Sequence, residues 1–171
     1  MKRSKHLALV LVSLTYWLSP MTSYASSWQQ WQTIGSATFT WGFWRVYESE
    51  LRSPNGQYDV QGDIALTIEY KRSISKETLL EATADQWEHL GIDKALQSQW
   101  LAALAPLWPD VNEGDRLTFT LEESGQSEFW FADERLAVIE DSDLSRNFMA
   151  IWLSPDTAYP KMRTALIGTE P

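Results

Sequence analysis

Phe39-Thr40-Trp41-Gly42-Phe43-Trp44-Arg45-Val46-Tyr47-Glu48 is a run in which aromatic and β-branched residues crowd together. Such side chains pack well on a pleated, half-buried surface, so the run reads as sheet. Extended outward, it reaches from Gly35 to Leu51, as one long strand or as two joined by a bend near Gly42. Ser53-Pro54-Asn55-Gly56 follows and is a turn, because Asn and Gly tolerate positive φ and Pro fixes its own. Ile64 to Tyr70 is the next strand. A hairpin and a third strand therefore await a cover for their apolar faces.

Two helical patterns supply it. Ser75 is placed to cap a helix from Lys76 to Leu90, with Gly91 just past its end. Leu79, Leu80, Thr83, Trp87 and Leu90 recur at helical spacing on one face. The second pattern runs from Asp93 to Leu104, with Leu96, Trp100 and Leu104 in steps of four, and Pro106 and Pro109 stop it. Strands are predicted at Arg116–Glu122, Glu128–Phe131 and Leu136–Ile139, the last two joined by a turn at Ala132-Asp133-Glu134. Asp143 is the expected cap of a short helix holding Phe148 and Trp152, and Pro160 opens a last helix to Leu166. One α+β domain results, with a sheet on one side and helices on the other.

Upstream, residues 26–34 read as a lead-in or edge strand. Residues 1–25 have the form of an export signal: Lys2, Arg3 and Lys5, then the apolar run Leu7 to Leu18, then Ser23-Tyr24-Ala25 before the cut. An uncleaved anchor is the alternative, but the run is shorter than the roughly 20 residues a span needs. Cleavage after Ala25 places the chain in the periplasm and leaves residues 26–171 as one ordinary domain. With no cysteine, an exported domain must hold by packing alone. All ten tryptophans but Trp17 fall in that domain.

Composition and spacing remove several classes of chemistry. The net charge is −9, and the basic start contributes in the other direction, so the rest is more acidic still. A surface of that sign repels phosphate backbones and anionic headgroups, and nucleic acid is excluded as a partner. No cofactor is expected. Without cysteine, and with His89 the one histidine outside the signal, zinc coordination by thiolates or several imidazoles has no ligands. Asp141-Ser142-Asp143 lacks the glycine and distal glutamate of a calcium loop and reads as helix capping. His89, near a helix end beside Glu88, reads as solvated. Glu122 and Glu123 are adjacent on a strand, point to opposite faces and cannot form a glycosidase pair. Trp87, Trp100 and Trp152 hold core-facing positions, whereas Trp28, Trp31 and Trp41 leave sugar stacking open.

The opening run, together with Ile151-Trp152-Leu153-Ser154-Pro155-Asp156-Thr157, resembles the chalcone isomerase-like family, in its bacterial exported branch. Ile74-Ser75-Lys76-Glu77, Gly114-Asp115-Arg116-Leu117 and Lys161-Met162-Arg163-Thr164-Ala165-Leu166-Ile167-Gly168 extend the likeness over Gly35 to Gly168. The resemblance implies an open-faced β-sandwich of the chalcone isomerase type, an antiparallel sheet covered on one face by helices, with a cleft between them. In the plant enzymes of the family, the cleft cyclises a chalcone using an arginine, a threonine, a tyrosine, an asparagine and a further serine or threonine. Carried onto this chain, the arginine has no counterpart, since residues 26–44 hold neither Arg nor Lys. The threonine falls on Gly42, the tyrosine near Ser75 and the asparagine near Ala82, and only the last position is kept, as Thr157.

Removing one donor that stabilises developing negative charge costs about 3–4 kcal/mol. Chalcone cyclisation is therefore not expected. Arg45 is no substitute, because strand alternation turns it away from Gly42 and Trp44 unless a bulge sits at Gly42. The expectation is a non-catalytic binder of a small apolar ligand such as a fatty acid, a class the family also contains. Trp44, Leu79, Thr83 and Thr157 are its candidate cleft residues, with Gly42, Ser75 and Ala82 from the family positions. A partner-binding or structural module with a closed cleft, and an isomerase or lyase using other residues, are the alternatives. A hollow cleft favours the binder and a filled one the module.

Overall fold

The computed structural model describes residues 27–169, so the predicted export signal lies outside the described residues. A single 3₁₀ turn, Ser27–Gln30, precedes β1 (Gln32–Trp41) and β2 (Trp44–Ser53). The long aromatic run is thus two antiparallel strands, with Trp41 opposite Trp44 and Gly42-Phe43 as the connecting pair. The lead-in is helical at its start rather than extended, and β1 forms an edge of the sheet.

β3 (Ile64–Tyr70) follows, then α1 (Lys76–His89) and α2 (Lys94–Leu104). Ser75 caps α1 by accepting from Thr78 N, and Gly91 takes the positive φ that ends it. Asp93 lies one residue outside α2 and caps it. β4 (Arg116–Leu121), β5 (Ser127–Phe131) and β6 (Glu134–Ile139) complete a six-stranded antiparallel sheet in the order β1-β2-β3-β4-β5-β6. The chain ends in α3 (Ser142–Leu153) and α4 (Pro160–Leu166). Asp141, not Asp143, caps α3: its Oδ1 accepts from the backbone N–H of Asp143 and Leu144, while its Oδ2 accepts from Trp100 Nε1.

The helices cover one face of the sheet. Leu51, Leu66, Ile68, Leu117, Phe119 and Phe129 point into that layer, where they meet Trp87, Trp100, Phe148 and Leu166. The opposite face is polar, with Thr67 and Thr118 hydroxyls 2.9 Å apart across β3 and β4 and Lys71 paired to Glu48 at 3.0 Å. The fold is the open-faced α+β arrangement the sequence predicts.

Two irregularities shape the half of the sheet that bears the cavity. Phe39 pairs with Tyr47 but Thr40 with Arg45, so Val46 is an extra residue in β2 and bulges. At the other end of β1 the pairing skips Ile34, which sets Gly35 against α4. A side chain at Gly35 has no room, since an ideal Cβ there would lie 2.0 Å from the Ala165 carbonyl oxygen.

The candidate ligand cavity

A cavity of about 620 Å³ opens between β1–β3 and the α1 and α3 helices. Its α1 wall is Ser75, Thr78, Leu79, Ala82, Thr83 and Gln86, which are spaced to share one helix face. Four of the six are no larger than threonine. This is why the space is hollow: these side chains lack the bulk to fill it, while Trp87, one turn beyond Thr83, is fully buried in the core and outside the cavity lining. Phe148, Ile151 and Trp152 of α3 and Trp108 close the inner end, and Ile68, Tyr70 and Leu117 line the sheet side. The bulge lets both Val46 and Tyr47 line the cavity, which regular alternation forbids. Trp41, Trp44 and Arg72 form its mouth, with the Arg72 guanidinium 4.4 Å from the centre of the Trp44 ring.

Besides the hydroxyls of Ser73, Ser75, Thr78 and Thr83, the Gln86 amide, the Asp85 carboxylate and Arg72, the polar lining holds three phenols. Tyr47 Oη accepts from Trp152 Nε1 at 3.1 Å, and Tyr159 Oη accepts from Gln86 Nε2 at 3.1 Å. Tyr70 is 4% exposed, lines the cavity, and its hydroxyl has no hydrogen-bond partner among the described residues. Burial pushes the Tyr47 phenol far above its ordinary value, against a smaller lowering by the Trp152 hydrogen bond. Burial does the same to Tyr70, helped by Tyr47 close by, and to a lesser degree to Tyr159. All three stay protonated at neutral pH. They are hydrogen-bond donors in an apolar cavity, suited to a ligand oxygen and unsuited to proton abstraction.

Five of the seven residues picked from the sequence line this cavity: Trp44, Ser75, Leu79, Ala82 and Thr83. The other two do not. Gly42 sits in the β1–β2 turn with a φ of +58°. Thr157 is buried behind α3, where its hydroxyl donates to the Ile151 carbonyl at 2.6 Å and accepts from Tyr159 N at 3.2 Å. The Thr83 hydroxyl is likewise engaged, donating to the Leu79 carbonyl within α1. Arg45 stays off the cavity, paired with Glu48 at 3.2 Å.

Sequence reasoning missed Tyr47, Tyr70, Tyr159 and Arg72. Tyr70 was legible in part, because Ile64, Leu66, Ile68 and Tyr70 share one face of β3. Arg72 lies in the loop after β3, where no periodicity applies. His89 is exposed, with Nε2 placed 3.0 Å from the Asp156 carbonyl oxygen. Trp87, Trp100 and Trp152 are core residues, and Trp28 packs edge-on against Trp130 on the far face of the sheet. Among the described residues there is no cluster of three or more His, Asp or Glu placed to hold a metal. No helix among them is long and apolar enough to cross a membrane.

Comparison with known proteins agrees with this architecture. Residues 48–168 match the family described as chalcone isomerase-like. An uncharacterized protein of Haemophilus influenzae is 27% identical over 146 residues, covering 84% of this chain and 71% of that one. The crystal structure of a fatty-acid binding protein of Arabidopsis thaliana superposes with a TM-score of 0.62 at 7% identity, over 81% of this chain and 87% of the other. That likeness is one of fold.

Proposed function

This chain belongs to the chalcone isomerase-like family, and from that premise we propose that it binds a small apolar ligand, such as a fatty acid, without transforming it. The observation that carries the reading is the cavity: about 620 Å³, apolar in most of its lining, with phenol donors inside and Arg72 at the rim. Its volume falls in the roughly 300–1,000 Å³ range of small-molecule sites. A carboxylic acid with a long chain suits those groups, its oxygens meeting N–H or O–H donors and its chain the aromatic and aliphatic walls. The hollow cleft speaks against the closed-module alternative. The protonated tyrosines are unsuited to proton abstraction, and the one carboxylate of the lining, Asp85, is exposed. The fatty-acid binding of the Arabidopsis protein that shares the fold supports the ligand class.

The basic start and apolar run of residues 1–25 support export, cleavage after Ala25 and a periplasmic site of action for residues 26–171. A protein mass starting at Ser26 in a periplasmic fraction is the expected result. The ligand test is native mass spectrometry of protein purified from that compartment, followed by titration of the stripped protein with a fluorescent fatty acid. Ala82→Phe, which puts a ring into the cavity from the small face of α1, is expected to abolish binding with the fold intact. Full affinity in that variant, or no bound or bindable fatty acid in the parent, overturns the reading.

A further inference from the structure

We propose that the β1–β2 hairpin tip docks on the surface of a zwitterionic lipid bilayer, setting the mouth of the cavity against it. Trp41, Phe43 and Trp44 are 73%, 105% and 61% exposed, within four consecutive residues. Single exposed apolar side chains are ordinary, but a contiguous group of large aromatics at one projecting point is not. The tip is also paired to its end and free of packing neighbours at Gly42. The β1–β2 pairing runs up to Trp41 and Trp44, and nothing lies within 4 Å of where a Cβ on Gly42 would stand. Phe43 therefore projects from a hydrogen-bonded wedge rather than from a loose loop.

The chemistry of the tip selects the partner. Tryptophan combines an apolar body with an N–H and concentrates at the headgroup level of membranes. Trp41 and Trp44 are at once tip residues and mouth residues, so whatever covers the tip also faces the cavity opening. Arg72, stacked on Trp44, and Arg45, exposed beside it, are cations at the height of the lipid phosphates. The strongly acidic remainder of the chain disfavours a bilayer of net negative charge. A protein partner or a second copy would bury the same aromatics, but neither accounts for an apolar cavity opening at the contact.

The inference rests on the proposed ligand only in making the bilayer the source of an apolar molecule, and the two fail separately. The test is flotation of the protein recovered from cells with phosphatidylcholine vesicles, alongside fatty-acid titration without vesicles. The parent is expected to float with the vesicles. Phe43→Ser is expected to weaken partitioning at least about tenfold, the order expected when a buried phenyl ring is lost, and Phe43→Trp to retain it. Phe43 does not line the cavity, so affinity for free fatty acid is expected to be unchanged in both variants. Equal flotation of parent and Phe43→Ser overturns the proposal, as does no flotation of the parent. A change confined to self-association in Phe43→Ser also overturns it and makes the tip a contact between copies. Flotation that depends on Phe43 in a protein that takes up no fatty acid leaves docking standing and removes the ligand reading instead.

Discussion

Tyr47 and Tyr70 differ in what their hydroxyls touch, and opposite stability effects follow. Tyr47 Oη is the acceptor for the buried Trp152 Nε1, so Tyr47→Phe leaves that donor unpartnered and is expected to cost about 1–3 kcal/mol in urea unfolding. Tyr70 Oη has no hydrogen-bond partner among the described residues, so Tyr70→Phe is expected to leave stability unchanged or raise it. In the ligand titration the order reverses, Tyr70→Phe weakening fatty-acid affinity about tenfold through loss of a donor to the ligand. Equal destabilisation by the two substitutions is the result that breaks this account. Tyr70 was legible in part from the β3 face it shares, whereas the cavity wall on β2 was not, for a physical reason. Tyr47 keeps the alternation of Ser49 and Leu51 and stands opposite Tyr70, whereas Val46 joins it at the cavity only through the bulge, which no residue type in Arg45-Val46-Tyr47 announces. Thr157 shows the converse. Its place in a family motif is clear in the sequence, but its hydroxyl is engaged by backbone on both sides.

Helix ends and strand contacts were more legible, because they depend on neighbours in sequence. Ser75 caps α1 with one side-chain bond, and Ser75→Ala is expected to cost about 1 kcal/mol in thermal or urea unfolding. Asp141→Ala is expected to cost distinctly more. Its carboxylate accepts from two backbone N–H groups of α3 and from Trp100 Nε1 of α2, so its loss releases a cap and orphans a buried indole. If the two alanine variants melt alike, the α2–α3 link through Asp141 contributes nothing. Asp143 was the expected cap because it precedes the apolar face of α3. The helix begins two residues earlier, and either acid of Asp141-Ser142-Asp143 satisfies the sequence rule. The contact of β1 with α4 had no such signal: Gly35 looks like any strand glycine until Ala165 is known to lie on it.

At the scale of the whole molecule, the strands and their helix cover were readable from periodicity, whereas the hollow was not. Spacing shows which α1 residues share a face, but not that Ser75, Thr78, Ala82 and Thr83 face a sheet too distant to touch them. The same hollow packs its phenols in a low-dielectric layer, and alkaline stability reports that burial. The folded-state values of Tyr47 and Tyr70 are raised by desolvation first, those of Tyr58 and Tyr159 likewise, while an unfolded tyrosine titrates near its ordinary pKa of about 10. A raised acid holds its proton in the folded state after the unfolded state has released it. The stability these groups contribute is thus fully present below pH of about 10 and is lost as pH rises beyond it. Urea unfolding is expected to give a flat free energy on the alkaline side up to about pH 9 and a steady fall above about pH 10. In that upper range Tyr70→Phe is expected to make the slope shallower by about 1.4 kcal/mol per pH unit, one proton's share. Ultraviolet titration of the folded protein is the independent check: phenolate absorbance short of the full tyrosine content at pH 11 agrees with burial of the cavity wall. Ionisation of every tyrosine together near pH 10, with the fold retained, would mean that water already fills the cleft to its floor, and the apolar-ligand reading would lose its physical basis.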